Sequence, residues 1–452
     1  MSSPSTPARP RGDFAATLVL AAPIVAANLS QTLMTMTDVA MVGRLSREAL
    51  AGMSLGFNLY FLFAMAGVGL MGAVAPIMAR DLGARTGDSG ALRRTAAAAT
   101  LAAVALAVPA TLALRLGAPI LRALGEPASA AAVAGDYLDG LGPSLLPTFA
   151  VAASRGGLAA FHRPGASFLA GAIGVAVNAL LDWALIFGRF GAPALGVYGS
   201  GLATTLSSLV VAAISVGAFA ILPDLAERRV FSALARPGEK LGELLRVGLP
   251  IAGTTLLETG LFSASTFLMG YVGETALAAH AVALQVATFA FMVPLGVGQA
   301  ATVRVGRAHG AGDVAAVRRA GAAAYAIGIG FMATTALAMW LAPGALASLF
   351  VDRSAPGGAA VAATAAGFLA MAALFQIADG AQAVGVGLLR GLHDTLAPMA
   401  IAFVGYWLVG LPLAAWLGLA TPLAGKGVWL GLAAGLAFVA AALGWRWKAE
   451  TK

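Results

Sequence analysis

Four carboxylates stand in stretches of the chain that are otherwise apolar: Asp38, Asp182, Glu258 and Asp379. Asp38 lies in MTMTDVAMVG, residues 34–43, and is the one charge between Phe14 and Gly43. Polar neighbours extend the pattern. Asn28, Gln31, Thr35 and Asp38 are spaced three, four and three, which places them on one face of a helix. Asn178 and Asp182 are four apart, and Gln376 and Asp379 three apart. Any such acid could instead cap a helix, pair with a buried arginine or lie near a water interface. Dehydrated and unpaired, it has two accessible states. It takes up a proton, or it holds a small cation with neighbouring oxygens as ligands. A cationic substrate is a third partner for the same charge. Competition between substrate and ion for one carboxylate is the simplest chemistry of exchange.

The elements that carry these acids are membrane helices. The 452 residues are 60% hydrophobic and only 11% charged, where a soluble domain has about 25% charged residues. A carboxylate at the bilayer centre costs about 2.5–3.5 kcal/mol, so such acids mark function by default. Cysteine is absent and there are four scattered His. That removes disulfide and thiolate-metal chemistry and leaves little basis for a His-based metal site. The net charge of +8 fits basic loops that set topology. No basic, aromatic-interleaved patch points to nucleic acid.

Windows of about 20 apolar residues fall at 14–40, 52–79, 96–115, 131–153, 166–188, 196–222, 245–271, 278–303, 320–342, 358–387, 397–418 and 425–445. The basic residues favour one side of these twelve spans by three to one, which predicts both termini in the cytoplasm. The expected organisation is a cytoplasmic tail at 1–13, an N-lobe at 14–222, a polar linker at 223–244, a C-lobe at 245–445 and a tail at 446–452.

The halves repeat. Shifting by 227 positions brings Pro23 onto Pro250, Gly43 onto Gly270, Gly69 onto Gly296, Arg80 onto Arg307 and Gly83 onto Gly310. Each half holds six spans, so the repeat is parallel, about an axis along the membrane normal. Transporters are often built this way, with the substrate site between the halves. The repeat sets Gln31 opposite Glu258 and Asp38 opposite Ser265. The frame is shared while the charges are not, which argues against a purely structural role for them. Counting from flanking arginines at ~1.5 Å per residue, Asp38 and Asp182 share one depth, about 10 Å inside the outer boundary. Glu258 and Asp379 share another, near mid-membrane. No Lys or Arg is expected deep in a span to neutralise them.

The strings MTMTDVAMVGRLSREALAGMSL, LPIAGTTLLETGLF, LAAHAVALQV, FMVPLGVGQAATVRVGRAHGAGD and ALFQIADGAQAVGVGLLRGLHDT, in order through both halves, resemble the MATE (multidrug and toxic compound extrusion) transporters, most of all the bacterial NorM-type branch. The resemblance covers residues 14 to 445. It implies an all-α integral membrane fold of twelve transmembrane helices, in two six-helix bundles with pseudo-two-fold symmetry around a V-shaped cavity. It also implies export of cationic amphipathic drugs in exchange for Na+ or H+, no cofactor, no enzyme activity, and a monomer in the bacterial inner membrane. The first-span, seventh-span and tenth-span acids of the family match Asp38, Glu258 and Asp379, and the last two are candidates for holding Na+. Partners of an N-lobe ion site match Asn178, Asp182, Tyr137 and Thr204. Gln31 and Gln285 complete the candidate set for cation or substrate binding. Phe375 stands where many NorM-type members have Tyr, and Asp182 where many have Asn.

His280 reads as a packed histidine, with a cavity role as the alternative. Trp183, Trp407, Trp416 and Trp429 suit an interfacial belt as well as a cavity wall. Phe289 and Phe291 could stack on a cationic drug, or simply pack. The main rival function is a lipid or lipid-linked oligosaccharide flippase of the same superfamily, which would call for deep Arg. The loop ARDLGARTGDSGALRR is a poor match to the major facilitator motif. Asp379 in IADG does not fit an intramembrane aspartyl protease, and nothing reads as a channel filter.

Overall fold

A computed structural model describes residues 12–84, 88–228, 230 and 238–452. Most of the expected N-terminal tail and the middle of the polar linker lie outside the described residues. Twelve helical spans follow in order: α1 Asp13–Val42, α2 Arg47–Gly83, α3 Ser89–Leu114, α4 (Ala128–Leu141 and Leu145–Ala160, joined by the 3-10 turn Gly142–Ser144), α5 Pro164–Phe187, α6 Gly196–Ile221, α7 Gly238–Val272, α8 Glu274–Gly310, α9 Val314–Leu341, α10 Gly358–Gly391, α11 Leu396–Leu419 and α12 Gly425–Glu450. Among the described residues there is no strand.

Ten of these are long and apolar enough to cross a membrane by length and composition. The two others have identifiable reasons. Pro143 stands in the short turn that divides α4. The 35-residue α7 is diluted by Thr, Ser and Gly around Glu258, of which Thr259, Ser263 and Thr266 line a cavity with it. Side chains close several helix starts where the first N–H groups lack partners. Ser46 Oγ accepts from the Ala49 amide at 3.0 Å, and Asp313 Oδ1 from that of Ala316 at 2.8 Å.

Small residues let the helices approach closely, as membrane packing requires. Thr302 Oγ1 in α8 donates to the Gly387 carbonyl of α10 at 2.7 Å. The two lobes meet at the end that carries the start of α1 and the end of α12. Arg304 of α8 bonds the Asp13 carboxylate across the lobes, and within the C-lobe Arg318 bonds the main-chain oxygens of Thr451 and Lys452. The repeat is visible in the contact itself. A Cβ on Gly69 would come within 2.5 Å of Ala252, and one on Gly296 would strike Val25; both pairs are related by the same shift of 227.

A polar cluster seals this end. Arg80 bonds Glu243, and Lys240 Nζ reaches Asp81 at 3.0 Å and Glu243 at 2.7 Å. His393, in the turn between α10 and α11, lies 3.1 Å from Arg80 through Nδ1 and 3.1 Å from the Pro76 carbonyl through Nε2.

One expectation needs correction. The apolar window 131–153 stops short of Arg155 and leaves it to the following loop, but Arg155 is not a loop residue. It stands within α4, and its Nη2 donates to the Ala27 carbonyl of α1 at 2.9 Å. A short polar loop follows it, which made its charge look interfacial. It does not neutralise the four acids: none of them makes an ion pair among the described residues.

Candidate functional site

The four acids form two pairs, one in each lobe. In the N-lobe, α1 brings Asp38 against α5, which presents Asn178 and Asp182 on one face because they are four apart. Asp38 is 4% exposed, and Asn178 and Asp182 are fully buried. Thr204 of α6 donates from Oγ1 to Asp38 Oδ2 at 2.9 Å. Asp182 and Asn178 stand beside Asp38, and Ser200 beside Asp182. Tyr137 of α4, 1% exposed, stands near both acids. Asp38 Oδ1, both Asp182 oxygens, the Asn178 amide and the Ser200 hydroxyl meet no partner at full hydrogen-bond geometry among the described residues, although Asp182 and Asn178 lie within reach of Asp38, and Ser200 within reach of Asp182. Such orphaned groups cost about 1–3 kcal/mol each. Two adjacent carboxylates also repel unless a proton or a cation joins them. Chemically, the cluster can accept either. Asp38 and Asp182 lie four and five residues from the C-terminal ends of their helices, roughly 6–8 Å along the axis, somewhat less than the expected depth.

In the C-lobe, α7 presents Glu258 and α10 presents Asp379, and Gln382 lies between them. Its Nε2 donates to Glu258 Oε1 at 3.0 Å and sits 3.5 Å from Asp379 Oδ1. The other end of the same amide accepts from Tyr406 OH at 2.8 Å. The two acids line a cavity of about 300 Å3 together with Phe262, Phe291, Phe375 and Thr288. Its walls thus combine aromatic faces with two carboxylates, which suits a cation with an apolar body.

The candidates divide accordingly. Asp38, Asn178, Asp182, Tyr137 and Thr204 come together, as do Glu258 and Asp379. Gln31 is exposed on α1, seven residues from Asp38, and hydrogen-bonds to none of these side chains. Gln285 lies outside the cavity lining, which α8 supplies from Leu284, Ala287, Thr288 and Phe291. Phe289 is likewise outside it. Gln376 turns to Thr335 at 3.5 Å rather than to the acids. His280 is packed, fully buried 3.3 Å from Ser265 and edge-on to Trp429. Trp429 is itself fully buried and so belongs to the core; Trp183 and Trp416 are exposed.

Sequence reasoning missed Gln382, Tyr406 and Ser200. Gln382 is legible in hindsight, since it follows Asp379 by three residues on the same face. Tyr406 is not, because residues Phe403–Gly410 wind as a π-helix and leave the 3.6-residue register.

A family model described as MatE matches residues 23–184 and 250–416. The chain is 46% identical to the probable multidrug resistance protein NorM of Mesorhizobium japonicum, over 97% of this chain and 94% of that one. It is 42% identical to the protein of the same description from Brucella suis biovar 1, over 95% and 92%. Against the multidrug resistance protein NorM of Burkholderia vietnamiensis it is 40% identical, over 96% and 93%. Among solved structures it resembles the eukaryotic MATE transporter AtDTX14, with a TM-score of 0.85 and 21% identity over 97% of both chains. It also resembles a multidrug resistance MATE family transporter of the MOP superfamily in an outward-facing conformation, with a TM-score of 0.86 and 20% identity over 98% and 96%. At these identities the structures speak to the fold alone.

Proposed function

The chain belongs to the MatE family, and from that membership we propose that it is a secondary active multidrug exporter that exchanges cationic amphipathic compounds for Na+ or H+ by alternating access. The reading places it in the bacterial inner membrane as a monomer, with both termini and the sealed end of the lobes in the cytoplasm. One observation carries it: Glu258 and Asp379 share a cavity wall with Phe262, Phe291 and Phe375. An aromatic cation can stack on the rings while its charge faces the acids. A coupling ion competes for the same carboxylates, so its entry favours drug release on the outer side. The descriptions of the NorM relatives agree with drug export. In the N-lobe, Asp38 and Asp182 are positioned to share a proton, with Thr204 and Asn178 as neutral partners.

The flippase alternative gains nothing from the cavity, whose lining carries acids and no basic side chain. The test is ethidium transport by purified protein in liposomes, with an imposed Na+ gradient compared with an imposed pH gradient. Drive by Na+ places the ion at Glu258 and Asp379. Drive by H+ makes Asp38 and Asp182 the titrating pair. Failure of both, with movement of a lipid-linked substrate, overturns the antiport reading.

A further inference from the structure

The C-lobe pair differs from the N-lobe pair in one respect. Asp38 and Asp182 face each other with orphaned oxygens, whereas Glu258 and Asp379 are bridged by the Gln382 amide. The two carboxylates only accept, so they select the end of that amide that faces them, and the amide is held from behind. Tyr406 is fully buried and donates its hydroxyl to Gln382 Oε1 at 2.8 Å. With the oxygen held there, both N–H bonds of Nε2 are left for the two carboxylates. Nε2 carries the positive end of the amide dipole, so it serves the two acids as a neutral bridge.

Tyr406 reaches Gln382 from a turn that is not α-helical. It lies in the π-helical segment Phe403–Gly410 of α11, a geometry that recurs at functional sites. A Cβ on Gly410 would come within 3.1 Å of the Gly405 carbonyl oxygen and 3.2 Å of Gly435 in α12. Small residues at the crossing thus leave room for the widened turn. A hydroxyl can donate or accept, so Tyr406 can bond either end of the amide. If Gln382 turns over, Tyr406 OH accepts from Nε2, and Oε1 points between the acids as a further oxygen ligand of the kind a hard cation takes.

We propose that Gln382, held by Tyr406, is the positioning group of the C-lobe carboxylate pair: its amide spans Glu258 and Asp379 and turns over to lend its oxygen when Na+ enters. The proposal rests on the antiport reading and names Na+ as the ion of this site. Its consequence is specific to ion affinity. Removing the amide leaves two facing carboxylates without a neutral bridge and the ion with one oxygen fewer. Removing the Tyr406 hydroxyl leaves the amide in place but free to rotate.

The test is the Na+ dependence of ethidium transport in liposomes at saturating drug, resolved into half-saturation and maximal rate. Gln382→Met is expected to raise the Na+ half-saturation about tenfold, and Tyr406→Phe about threefold, each with the maximal rate within about twofold of wild type. A fall in maximal rate at unchanged half-saturation is what a packing role would give, and it overturns the proposal. So does unaltered half-saturation in both variants. Glu258→Gln, run in parallel, separates the two levels. If it abolishes Na+ activation while Gln382→Met is neutral, only the role of Gln382 fails. If it leaves Na+ activation intact, the cation site itself is elsewhere and both fail.

Discussion

Gly83 and Gly310 occupy equivalent places in the two halves of the chain, and each packs on the backbone of the other's helix. A Cβ on Gly83 would strike the Arg307 carbonyl, and a Cβ on Gly310 would strike the Arg80 carbonyl. Arg80 and Arg307 are themselves equivalent under the shift of 227. The ends of α2 and α8 therefore cross at the pseudo-two-fold axis with no side chain between them.

This crossing predicts that Gly83→Val opens the sealed end. Overpacking at a close contact costs roughly 1–3 kcal/mol. Amide hydrogen exchange in Val74–Gly83 and in residues 303–310 should quicken about fivefold or more, while α5 and α6 keep wild-type protection. Unchanged exchange in both segments would mean that the crossing contributes nothing to closure.

The same end should respond to pH through His393. Burial and the nearby Arg80 hold this imidazole below its ordinary value of 6.5. Its Nδ1 accepts from Arg80 while Nε2–H donates to the Pro76 carbonyl, so the neutral ring is the form that fits. Glu243, 3.9 Å from His393, and His309 also act on it. Burial pushes the Glu243 carboxyl up, but the Lys240 hydrogen bond and the charges of Lys240 and Arg80 outweigh it and hold the group below 4.5. Both depressed values have one sign. A proton favours the open end, so closure is strongest above pH 6.5 and weakens as pH falls from there, with Glu243 adding its loss below 4.5. Exchange protection in Val74–Gly83, corrected for intrinsic rates, should drop between pH 7.5 and 5.5. His393→Gln should flatten that slope, and a slope that survives the substitution excludes His393 as its source.

Asp38→Asn should leave the protein in the membrane and abolish drug efflux. The substitution keeps the shape and the Thr204 contact but removes the charge that a proton or cation neutralises. Resistance to ethidium in cells expressing the variant is the measurement, with membrane protein quantified beside it. Wild-type resistance would remove the N-lobe cluster from the mechanism.

Glu258→Gln and Asp379→Asn should each impair ion coupling, with at least a tenfold loss of ion-driven transport if one charge-assisted contact to the cation is worth about 1.5–3 kcal/mol. Counterflow of labelled drug without an ion gradient separates coupling from substrate binding. Identical ion dependence in both variants would clear the C-lobe pair of any part in coupling.

Much of this molecule is legible in its order of residues. Twelve apolar windows, basic loops on one side and a repeat of 227 suffice for the architecture, because a bilayer leaves a spanning chain few solutions but helices. The isolated acids stand out for the same reason: a charge in such a window is costly enough to need a use. Helical spacing alone places Asn178 with Asp182 on one face of α5. What spacing cannot state is which faces meet. Gln31 and Asp38 share a stripe on α1, yet only Asp38 turns into the α5–α6 cluster. Gln376 and Gln382 flank Asp379 at equal distances in sequence, and the packing of α7 and α11 sends only Gln382 to Glu258. Tyr406 enters through a π-turn that breaks the periodicity from which a face could be read. Arg155 falls just outside the fourth apolar window, yet it stands within α4, where α1 offers it a carbonyl. Period and polarity act along one helix, whereas the partner of a buried polar group is chosen between helices, by which neighbour's oxygen or nitrogen comes within bonding distance once the backbones have packed.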